Sequence, residues 1–448
     1  MKVSEFLQRA ERGTSGKLRI GLIGLGKTNR AVYEQIDRGR YGITVRCNRP
    51  CDVPCDCRAV FGDGYLDGID EDILFLSPSV RRDHPALLSA KRRGVTITSE
   101  CEVFFDGVSR DKGHVPQVFA VSGSDGKTTV TKMAAGMLDA VAVGNIGLPY
   151  SYAEGWERYV AELSSFNLFG FAPPSASAVI TSLSPNHLDW HRGIDEYCGA
   201  KANLLKNTAR GVVNADGDAL TLARGGDTLF STRMSRSELL RLGAAHTVTV
   251  EGGVIYHDDE MLLRVDELSL TQPHNISNTL AAIGLCHGFC DTGKIRDVAM
   301  TFTAPHHRCE VVHRSRMGIT FIDSSIDTTP SRTRTTLSGL GRDAFILLGG
   351  RGKGLPLTPL TDPIKRYARG IAIYGEVGDE MYAFLTEVCD GIPIMQFSGF
   401  TDALFHLCDT AGAGDTVLLS PAATAYGEFE NYEKRGECFT RIVKEMYP

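Results

Sequence analysis

The stretch VFAVSGSDGKTTV, residues 118–130, decides the fold of the central part of the chain. It begins with an apolar run that predicts a buried strand over Val118–Val121, and Lys127, Thr128 and Thr129 open a predicted helix after the turn. Glycines in the turn let backbone N–H groups wrap a phosphate, and the helix N-terminus favours negative charge. Lys127 would reach terminal phosphates and Thr128 would offer a hydroxyl to Mg²⁺. Position 121 is valine where the full phosphate-loop pattern has glycine, so a chance glycine-rich turn is the alternative.

Length and composition limit what the rest of the chain can be. The 448 residues predict about three domains at roughly 150 residues each. Hydrophobic residues make up 42% and charged residues 23%, which is typical of a globular protein. The net charge of −6 argues against a protein that grips nucleic acid or an anionic membrane through bulk charge. The sequence has no apolar run of membrane-spanning length.

Strand and helix patterns alternate in three blocks, 1–112, 113–304 and 305–448. The first begins with the apolar strand LRIGLIGLG at residue 18, the second contains the phosphate-type loop, and the third follows FTAPHHRCEVV. Such alternation is typical of βαβ units with parallel sheets, so the chain is predicted to be α/β.

The first strand leads into GLIGLGKTNR, residues 21–30, which resembles a dinucleotide-binding turn but is incomplete. Asn29 stands where the third glycine belongs, and the acid that would hold a ribose hydroxyl is missing, since Cys47, Asn48 and Arg49 occupy that region. An arginine there suits a diphosphate better than NAD. A tight turn without a ligand is the alternative.

Two polar segments interrupt apolar sequence in the central block. Glu162 of VAELSSFNL ends a strand-like run, which is where open α/β sheets carry their sites. The segment SPNHLDWH crowds Asn186, His187, Asp189 and His191 into a predicted turn.

A lysine is predicted to lie on an apolar helix face. In GIDEYCGAKANLL, Ile194, Tyr197, Lys201 and Leu204 fall at helical spacing on one face. A charged amine there is unfavourable unless it is paired or modified. Extension of the lysine side chain to solvent is the alternative.

Taken in order, these segments resemble the Mur ligase family. The resemblance rests on GSDGKTT, GNIGLP, ELSSFNL, NHLDWH, Lys201, VVNADGD, HNISN, HHR, DSS, LGGRGKG, LLSPA and FENYEKRG, and it covers the chain after Lys17. It implies three domains: a Rossmann-like N-terminal domain for a UDP substrate, a central P-loop ATPase-type domain, and a Rossmann-like C-terminal domain for an amino acid.

The resemblance also implies a reaction. ATP would phosphorylate the carboxylate of UDP-N-acetylmuramoyl-L-alanine, and the amine of glutamate, D-glutamate in the most similar branch, would attack the acyl phosphate. The products would be an amide, ADP and phosphate, in peptidoglycan precursor synthesis. A cytoplasmic monomer with small-molecule substrates, no nucleic acid and no membrane span is expected.

Site residues implied by the resemblance fall into four groups. Catalysis is expected from Lys127, His187 and Lys201. The metal ligands for two Mg²⁺ would be Thr128, Glu162, His187 and a carbamylated Lys201. ATP would contact Gly123, Ser124, Asp125, Gly126, Lys127, Thr128, Thr129, Asn275, Asn278, Arg308 and Asp323. The UDP substrate would contact Thr28, Asn48, Arg49, Ser77, Asn145 and Ser164, and the amino acid Ser325, Arg332, Lys353, Ala425, Tyr426 and Tyr432.

The chain departs from the family pattern around the amino acid. Ser325 and Asp327 replace the lysine and threonine associated with the glutamate carboxylate, and Ala425 replaces a serine. Asp327 is expected to oppose a bound carboxylate. The nearest residues that could compensate are Arg332 and Arg334, with Lys353 and Lys434 further along, and at most one of the two arginines can point inward because they lie two residues apart on a helix. Arg332 or the N–H groups at the helix start implied by Pro330 is the candidate, whereas solvated surface arginines are the alternative.

Two other functions remain open at this stage. The same fold could take another amino acid, such as L-glutamate. The chain could instead be a nucleotide-binding regulator that has lost catalysis, although Lys201 would then have no reason to be carbamylated.

Overall fold

Three β-sheets with helices on their faces make up the part of the chain that the structure describes. The computed structural model describes residues 2–12, 17–110, 117–188, 190–303 and 306–448. Each sheet is built from one continuous stretch of sequence, and parallel pairing predominates in all three. The predicted α/β class with three sheet-based domains is therefore confirmed.

The first sheet has the strand order 3-2-1-4-5, and every pair of neighbours is parallel. Strand β1 lies at its centre and buries Ile20, Leu22 and Ile23, because helices cover both faces of a parallel sheet. Its elements are α1 (Val3–Glu11), β1 (Arg19–Ile23), α2 (Lys27–Glu34), β2 (Gly42–Cys47), β3 (Arg58–Phe61), β4 (Ile73–Leu76), α3 (Pro85–Arg92), β5 (Thr96–Thr98) and α4 (Glu100–Arg110).

The second sheet has nine strands, and its order determines where the site forms. The elements are β6 (Gln117–Ser122), α5 (Lys127–Leu138), β7 (Val141–Gly144), β8 (Arg158–Glu162), α6 (Ser165–Leu168), β9 (Ser177–Ile180), α7 (Ile194–Lys206), β10 (Gly211–Asn214), β11 (Thr228–Ser231), α8 (Arg236–Arg241), β12 (His246–Glu251), β13 (Val254–His257), β14 (Glu260–Arg264), α9 (Pro273–Cys286) and α10 (Thr292–Thr301). Strand β6 lies between β8 and β9 and is parallel to both. The loops that follow these three strands therefore meet at one sheet edge, where open α/β sheets bind ligands.

The third sheet has the order 15-16-20-17-18-19, and only its first pair is antiparallel. Its elements are β15 (Glu310–Arg314), β16 (Thr320–Asp323), α11 (Pro330–Leu340), β17 (Ala344–Gly349), α12 (Thr361–Tyr367), β18 (Ala368–Tyr374), α13 (Gly378–Val388), β19 (Ile394–Phe397), α14 (Phe400–Thr410), β20 (Thr416–Leu419) and α15 (Tyr432–Met446). The predicted helix start at Pro330 is confirmed, since proline's missing N–H is tolerated in a first turn.

Two compact units divide the chain, Met1–Phe302 and Thr303–Pro448. The first unit holds two sheets and the second holds one. The predicted boundaries at 112/113 and 304/305 fall on positions outside the described residues and stay predictions. Among the described residues, no helix combines the length and the apolar character needed to cross a membrane.

Histidines cluster at the antiparallel edge of the second sheet. His257 is buried at the end of β13, and its ring stacks on that of His287 with 3.6 Å between centroids. Burial and the neighbouring His287 lower the pKa of His257 to about 4, with further opposition from His246 and Arg210, while Asp258 acts the other way. Protonation of His257 is thus disfavoured in the folded chain.

This histidine predicts a pH dependence of stability. The unfolded chain protonates His257 near pH 6.5, whereas the folded chain resists protonation down to about pH 4. Because the unfolded state binds more protons, stability falls as the pH drops from about 6.5 towards 4. Between about pH 7.5 and 5.5 we expect the wild type to lose about 1 kcal/mol more free energy of unfolding than His257→Gln. Urea unfolding at both pH values measures this, and equal losses would contradict it.

Candidate active site

The loop after β6 is the phosphate-type loop that the sequence predicts. Gly123 and Gly126 have φ of +148° and +81°, in the region that favours glycine. A Cβ at Gly123 would lie 2.0 Å from Thr181 Oγ1, and one at Gly126 would lie 2.2 Å from Asn278 Oδ1. Both glycines are therefore required by conformation and by space, which argues against a chance turn.

Hydrogen bonds fix the loop to the segment that follows β9. The Ser124 N–H donates to Ser182 O and the Asp125 N–H to Ser182 Oγ, both at 2.9 Å. Ser124 Oγ donates to Ser184 O at 2.9 Å and lies 2.7 Å from the Tyr197 hydroxyl. The loop backbone is thus preorganised before any phosphate binds.

Lys127 begins α5 and folds back over the loop. Its Nζ donates to Gly123 O and Ser124 O, both at 2.9 Å. The positive charge therefore lies at the helix N-terminus, where it adds to the attraction for an anion.

Thr128 and Glu162 meet at the ends of neighbouring elements. Thr128 Oγ1 donates to Glu162 Oε2 at 2.9 Å, and Glu162 is buried as the last residue of β8. The Glu162 carbonyl accepts hydrogen bonds from the Asn145 N–H and the Tyr150 hydroxyl, both at 3.3 Å. A hydroxyl beside a carboxylate is an oxygen pair that Mg²⁺ prefers, so these residues fit the predicted metal.

Lys201 is buried on α7 and lies against the same loop. Its Nζ donates to Gly123 O at 2.7 Å, the carbonyl that Lys127 also uses, and lies 4.8 Å from the centre of the Tyr197 ring. Burial, reinforced by the charge of Lys127, lowers the pKa of Lys201 well below its usual value. The amine is therefore directed inwards and its protonation is disfavoured, and the solvent-extended alternative is wrong.

The predicted apolar face of α7 is partly confirmed. Tyr197, Lys201 and Leu204 are buried, as expected. Ile194 is 40% exposed, because it is the first residue of the helix and its side chain lies beyond the packed turns. The prediction that it shares the buried face is wrong.

His187 has a left-handed backbone, with φ of +54°, which is uncommon for a residue with a side chain. Its N–H donates to Asn186 Oδ1 at 2.9 Å, and its ring lies 4.8 Å from that of Phe166. His191 is instead buried, 3.0 Å from Ser165 Oγ, and burial lowers its pKa. Asp189 lies outside the described residues.

Asn275 and Asn278 lie in the first turns of α9 and are buried. Asn278 Nδ2 lies 3.4 Å from Asn275 Oδ1, and Asn275 Nδ2 donates to Gln272 Oε1 at 2.9 Å. The close approach of Asn278 to Gly126 brings this helix start against the phosphate-type loop.

The predicted UDP-side residues of the first sheet follow adjacent strands. Thr28 lies in the first turn of α2 after β1, Asn48 and Arg49 follow β2 and are exposed, and Ser77 follows β4. Asn29, which replaces the third glycine, is buried and donates from Nδ2 to Gly24 O at 2.7 Å and Phe75 O at 3.0 Å. The Asn29 side chain therefore stabilises the turn after β1, at the position where the dinucleotide-binding pattern has its third glycine.

Asn145 and Ser164 lie beside Glu162 in the second sheet. Asn145 follows β7, and Ser164 caps α6 by accepting the Asn167 N–H at 3.2 Å.

In the second unit, Asp323 ends β16 and is fully buried. Its Oδ2 lies 2.6 Å from His307 Nδ1, and this hydrogen bond raises the pKa of His307. Its Oδ1 accepts the Ser325 N–H at 2.8 Å. Arg308 follows His307 and is half-buried.

The loop 325–328 shows how the chain departs from the family pattern. Ser325 is buried, with its hydroxyl donating to Tyr432 O at 2.8 Å. Asp327 is also buried and accepts from Ser420 Oγ at 2.7 Å, and burial raises its pKa. The carboxyl group of Asp327 is therefore used inside the unit, and its opposition to a bound carboxylate stays a prediction.

Two cations contact this loop. Lys353 Nζ lies 3.2 Å from Thr328 Oγ1, and Arg332 Nη1 donates to Ile326 O at 3.1 Å. Arg332 is half-buried whereas Arg334 is exposed, so one of the two arginines faces the loop. Ala425 is buried, Tyr426 is 58% exposed and Tyr432 is half-buried.

Comparison with known proteins decides the family. The profile of the Mur ligase middle domain matches residues 121–286. The chain is 32% identical to the UDP-N-acetylmuramoylalanine--D-glutamate ligase of Acetivibrio thermocellus over 416 residues, covering 87% of this chain and 86% of that protein. It is 33% identical to the ligase of the same name from Clostridium novyi over 406 residues, covering 86% and 85%. The chain belongs to the Mur ligase family.

Solved structures of Mur ligases share the fold. A UDP-N-acetylmuramate-alanine ligase, MurC, from Thermotoga maritima matches with a TM-score of 0.60 at 18% identity, covering 96% of this chain and 100% of that one. A pseudomurein peptide ligase type C from Methanothermus fervidus matches with a TM-score of 0.58 at 13% identity, over 96% and 100%. These likenesses show the same fold over 96% of the chain.

Within this Mur ligase, two buried or half-buried arginines were missed from the sequence. Arg81, in the loop after β4, makes 2.8–2.9 Å hydrogen bonds to Asp83 and Glu196 and lies 4.7 Å from the ring centre of Phe169 and 4.9 Å from that of Trp190. It fastens the first sheet to the segment that carries His187. The charged run RRD, residues 81–83, follows a strand and could have marked Arg81 as a candidate functional residue. The run does not indicate that Glu196 is the partner of Arg81.

The second missed arginine, Arg435, is fully buried in α15. Its Nε donates to Ser325 Oγ and its Nη2 to Ser325 O, both at 2.9 Å. Ser325 therefore serves to position the loop, and its predicted contact with the amino acid has no exposed hydroxyl to support it.

Proposed function

We propose that this Mur ligase uses ATP to join the carboxylate of UDP-N-acetylmuramoyl-L-alanine to the amine of D-glutamate, in peptidoglycan precursor synthesis. The observation that carries the proposal is the convergence of Lys127 and the buried Lys201 on Gly123 O, beside the Thr128–Glu162 pair. The printed names of the relatives support the choice of substrates.

The phosphate-type loop would bind ATP. Glycines and the start of α5 present N–H groups to the phosphates, and Lys127 would leave its carbonyl partners to neutralise charge on the transferred phosphoryl group. We propose ATP contacts from residues 123–129, from Asn275 and Asn278, and from Arg308 and Asp323. The substrate carboxylate attacks the terminal phosphorus of ATP, ADP leaves, and the amine of glutamate then displaces phosphate from the acyl phosphate.

Lys201 would be carbamylated. An uncharged amine attacks CO₂, so an N–C bond forms, a proton leaves, and a carboxylate-like group replaces the amine. Burial lowers the pKa of this amine, which favours the reactive, unprotonated form. Thr128, Glu162, His187 and the carbamate would hold two Mg²⁺, which would supply charge neutralisation during phosphoryl transfer.

The other substrates would bind at the sheet edges. For the UDP substrate we propose Thr28, Asn48, Arg49, Ser77, Asn145 and Ser164. Because UDP-sugar precursors are cytoplasmic, we place the enzyme in the cytoplasm, acting as a monomer with domains 1–112, 113–304 and 305–448.

The amino acid would bind beside the loop 325–328. Burial, followed by the hydrogen bond and negative charge of Glu433, raises the pKa of Tyr432 to about 12, and the positive charges of Arg308 and Arg332 act against that rise. With Lys353 they form a cationic surface suited to the two carboxylates of glutamate. Arg332, Lys353, Tyr426 and Tyr432 are the proposed contacts, with Ser325 and Ala425 shaping the pocket.

Arg332→Ala should weaken glutamate binding specifically. We expect the KM for glutamate to rise about ten-fold, roughly 1.4 kcal/mol, with the KM for ATP little changed, because the lost charge faces the amino acid. Steady-state kinetics measure both constants. Arg334→Ala is the matched control, since that arginine is exposed on the same helix. An unchanged KM for glutamate in Arg332→Ala would reject the role.

Phosphate release by the purified chain tests the function itself. We expect release to require ATP, Mg²⁺, UDP-N-acetylmuramoyl-L-alanine and D-glutamate together, with the amide product detected by mass spectrometry. If phosphate were released when L-glutamate replaces D-glutamate but not with D-glutamate itself, the proposed reaction would stand and the amino-acid substrate would be L-glutamate. Nucleotide binding without release under any combination would indicate a regulator instead.

A further inference from the structure

Two cysteines bracket the exposed segment 48–50. Cys47 is the last residue of β2 and is buried, whereas Cys51 is exposed. The Cys51 thiol donates to Cys47 Sγ, and the two sulfur atoms lie 3.5 Å apart. A disulfide bond is about 2.05 Å long, so a movement of about 1.5 Å would join them.

The neighbouring cysteines are placed differently. Cys57 is half-buried and contacts Asp56, with 3.8 Å between Sγ and Oδ1, and Cys55 is exposed. In the part of the chain that the structure describes, no three histidine, cysteine or acidic side chains are arranged to hold a metal ion. The contact between Cys47 and Cys51 therefore favours a bond between two sulfurs over a shared zinc ion.

We propose that Cys47 and Cys51 form a reversible disulfide, with a small-molecule disulfide of the oxidised-glutathione class as the oxidant, and that closure moves the segment between them. The Cys51 thiolate attacks one sulfur of the small disulfide, forming a mixed disulfide and releasing one thiolate. Cys47 then loses its proton and attacks the Cys51 sulfur, which releases the second thiolate. Two protein thiols are oxidised and one small disulfide is reduced to two thiols.

The order of the two steps follows from exposure. Cys51 is exposed and can react with the oxidant, whereas Cys47 is buried and is less accessible to it. Burial, together with the hydrogen bond from Cys51, raises the pKa of Cys47 to about 11. Because the thiolate is the nucleophile, closure should accelerate about ten-fold per pH unit between pH 7 and 9.

The consequence for substrate binding rests on the proposed function. Asn48 and Arg49, our candidates for the UDP substrate, and Pro50 all lie inside the ring that the disulfide closes. Pro50 limits how the segment can adjust, since its φ is fixed. Drawing Cys51 towards β2 would therefore displace Asn48 and Arg49 rather than leave them in place.

Peptide mapping of the full-length chain tests bond formation. After treatment with oxidised glutathione under native conditions, we expect a Cys47–Cys51 linkage that dithiothreitol removes. Cys47→Ser should stop at glutathione attached to Cys51, Cys51→Ser should show neither product at this pair, and Cys55→Ser should behave as the wild type. A wild type that remains unmodified, keeps the mixed disulfide, or links Cys51 to Cys55 would overturn the proposal.

Kinetics test the consequence separately. We expect the oxidised wild type to show a KM for UDP-N-acetylmuramoyl-L-alanine at least three-fold higher than the reduced form, with the KM for ATP unchanged and Cys51→Ser insensitive to the treatment. An unchanged KM in the linked enzyme would overturn the effect on the segment. If the chain showed no ligase activity at all, the proposed function would fail while the mapping still decided the disulfide.

Discussion

Replacing Lys127 with alanine is expected to abolish turnover. The amine lies at the start of α5, within reach of the loop that would hold the ATP phosphates. Its charge would act mainly on the transferred phosphoryl group, and removing such a preorganised contact typically reduces kcat by about 10²–10³. Phosphate release at saturating substrates measures the loss.

The fold should survive this change, because Lys127 is a half-buried residue at the start of α5 and does not belong to a hydrophobic core. We therefore expect a similar melting temperature for Lys127→Ala and the wild type. Lys132→Ala is the matched control, since Lys132 is an exposed lysine of the same helix and should keep full activity. Retention of more than about a tenth of wild-type turnover by Lys127→Ala would contradict the assignment.

The sequence predicts the local parts of this site well. An apolar strand, a glycine turn and a helix that begins at Lys127 are encoded within thirteen consecutive residues, and the structure confirms each of them. Glu162 was predicted at the end of a strand, and it is the last residue of β8. Such features depend on near neighbours in sequence, which is why periodicity and turn chemistry reveal them.

Contacts between distant segments could not be predicted in the same way. Arg81 pairs with Glu196, 115 residues away, and Arg435 contacts Ser325 across 110 residues. Their partners depend on the strand order of each sheet, which no single segment specifies. Asp327 shows the same limit, because only the tertiary structure reveals that the Ser420 hydroxyl donates a hydrogen bond to its buried carboxyl group.

Lys201 lies between these cases. Its spacing placed the amine on an apolar helix face and left burial and extension to solvent open, and the fold buries it and brings Lys127 to the same carbonyl. A second cation beside a buried amine disfavours protonation beyond the effect of burial alone. A carbamate would reverse the local electrostatics, because a negative group would then face Lys127 and the proposed Mg²⁺ sites.

Carbamylation of Lys201 therefore predicts two large effects. Lys201→Ala should reduce turnover by about 10² or more, because a metal ligand and its charge are lost together. Removing CO₂ and bicarbonate should lower wild-type activity, and adding bicarbonate should restore it. Lys206→Ala is the matched control, since Lys206 is an exposed lysine of the same helix and should respond to neither change.

The carbamate itself can be observed apart from activity. Wild-type protein equilibrated with ¹³C-labelled bicarbonate should show a carbamate carbon resonance that is absent from Lys201→Ala and present in Lys206→Ala. The signal should strengthen as the pH rises towards 8. A higher pH leaves more of the amine unprotonated and able to react with CO₂, and it removes the proton that carbamate formation releases. A crystal structure with nucleotide and Mg²⁺ bound that shows a bare amine at Lys201 would reject the modification. Full activity in CO₂-free buffer would reject its role, since an unmodified amine cannot replace a carboxylate ligand of Mg²⁺.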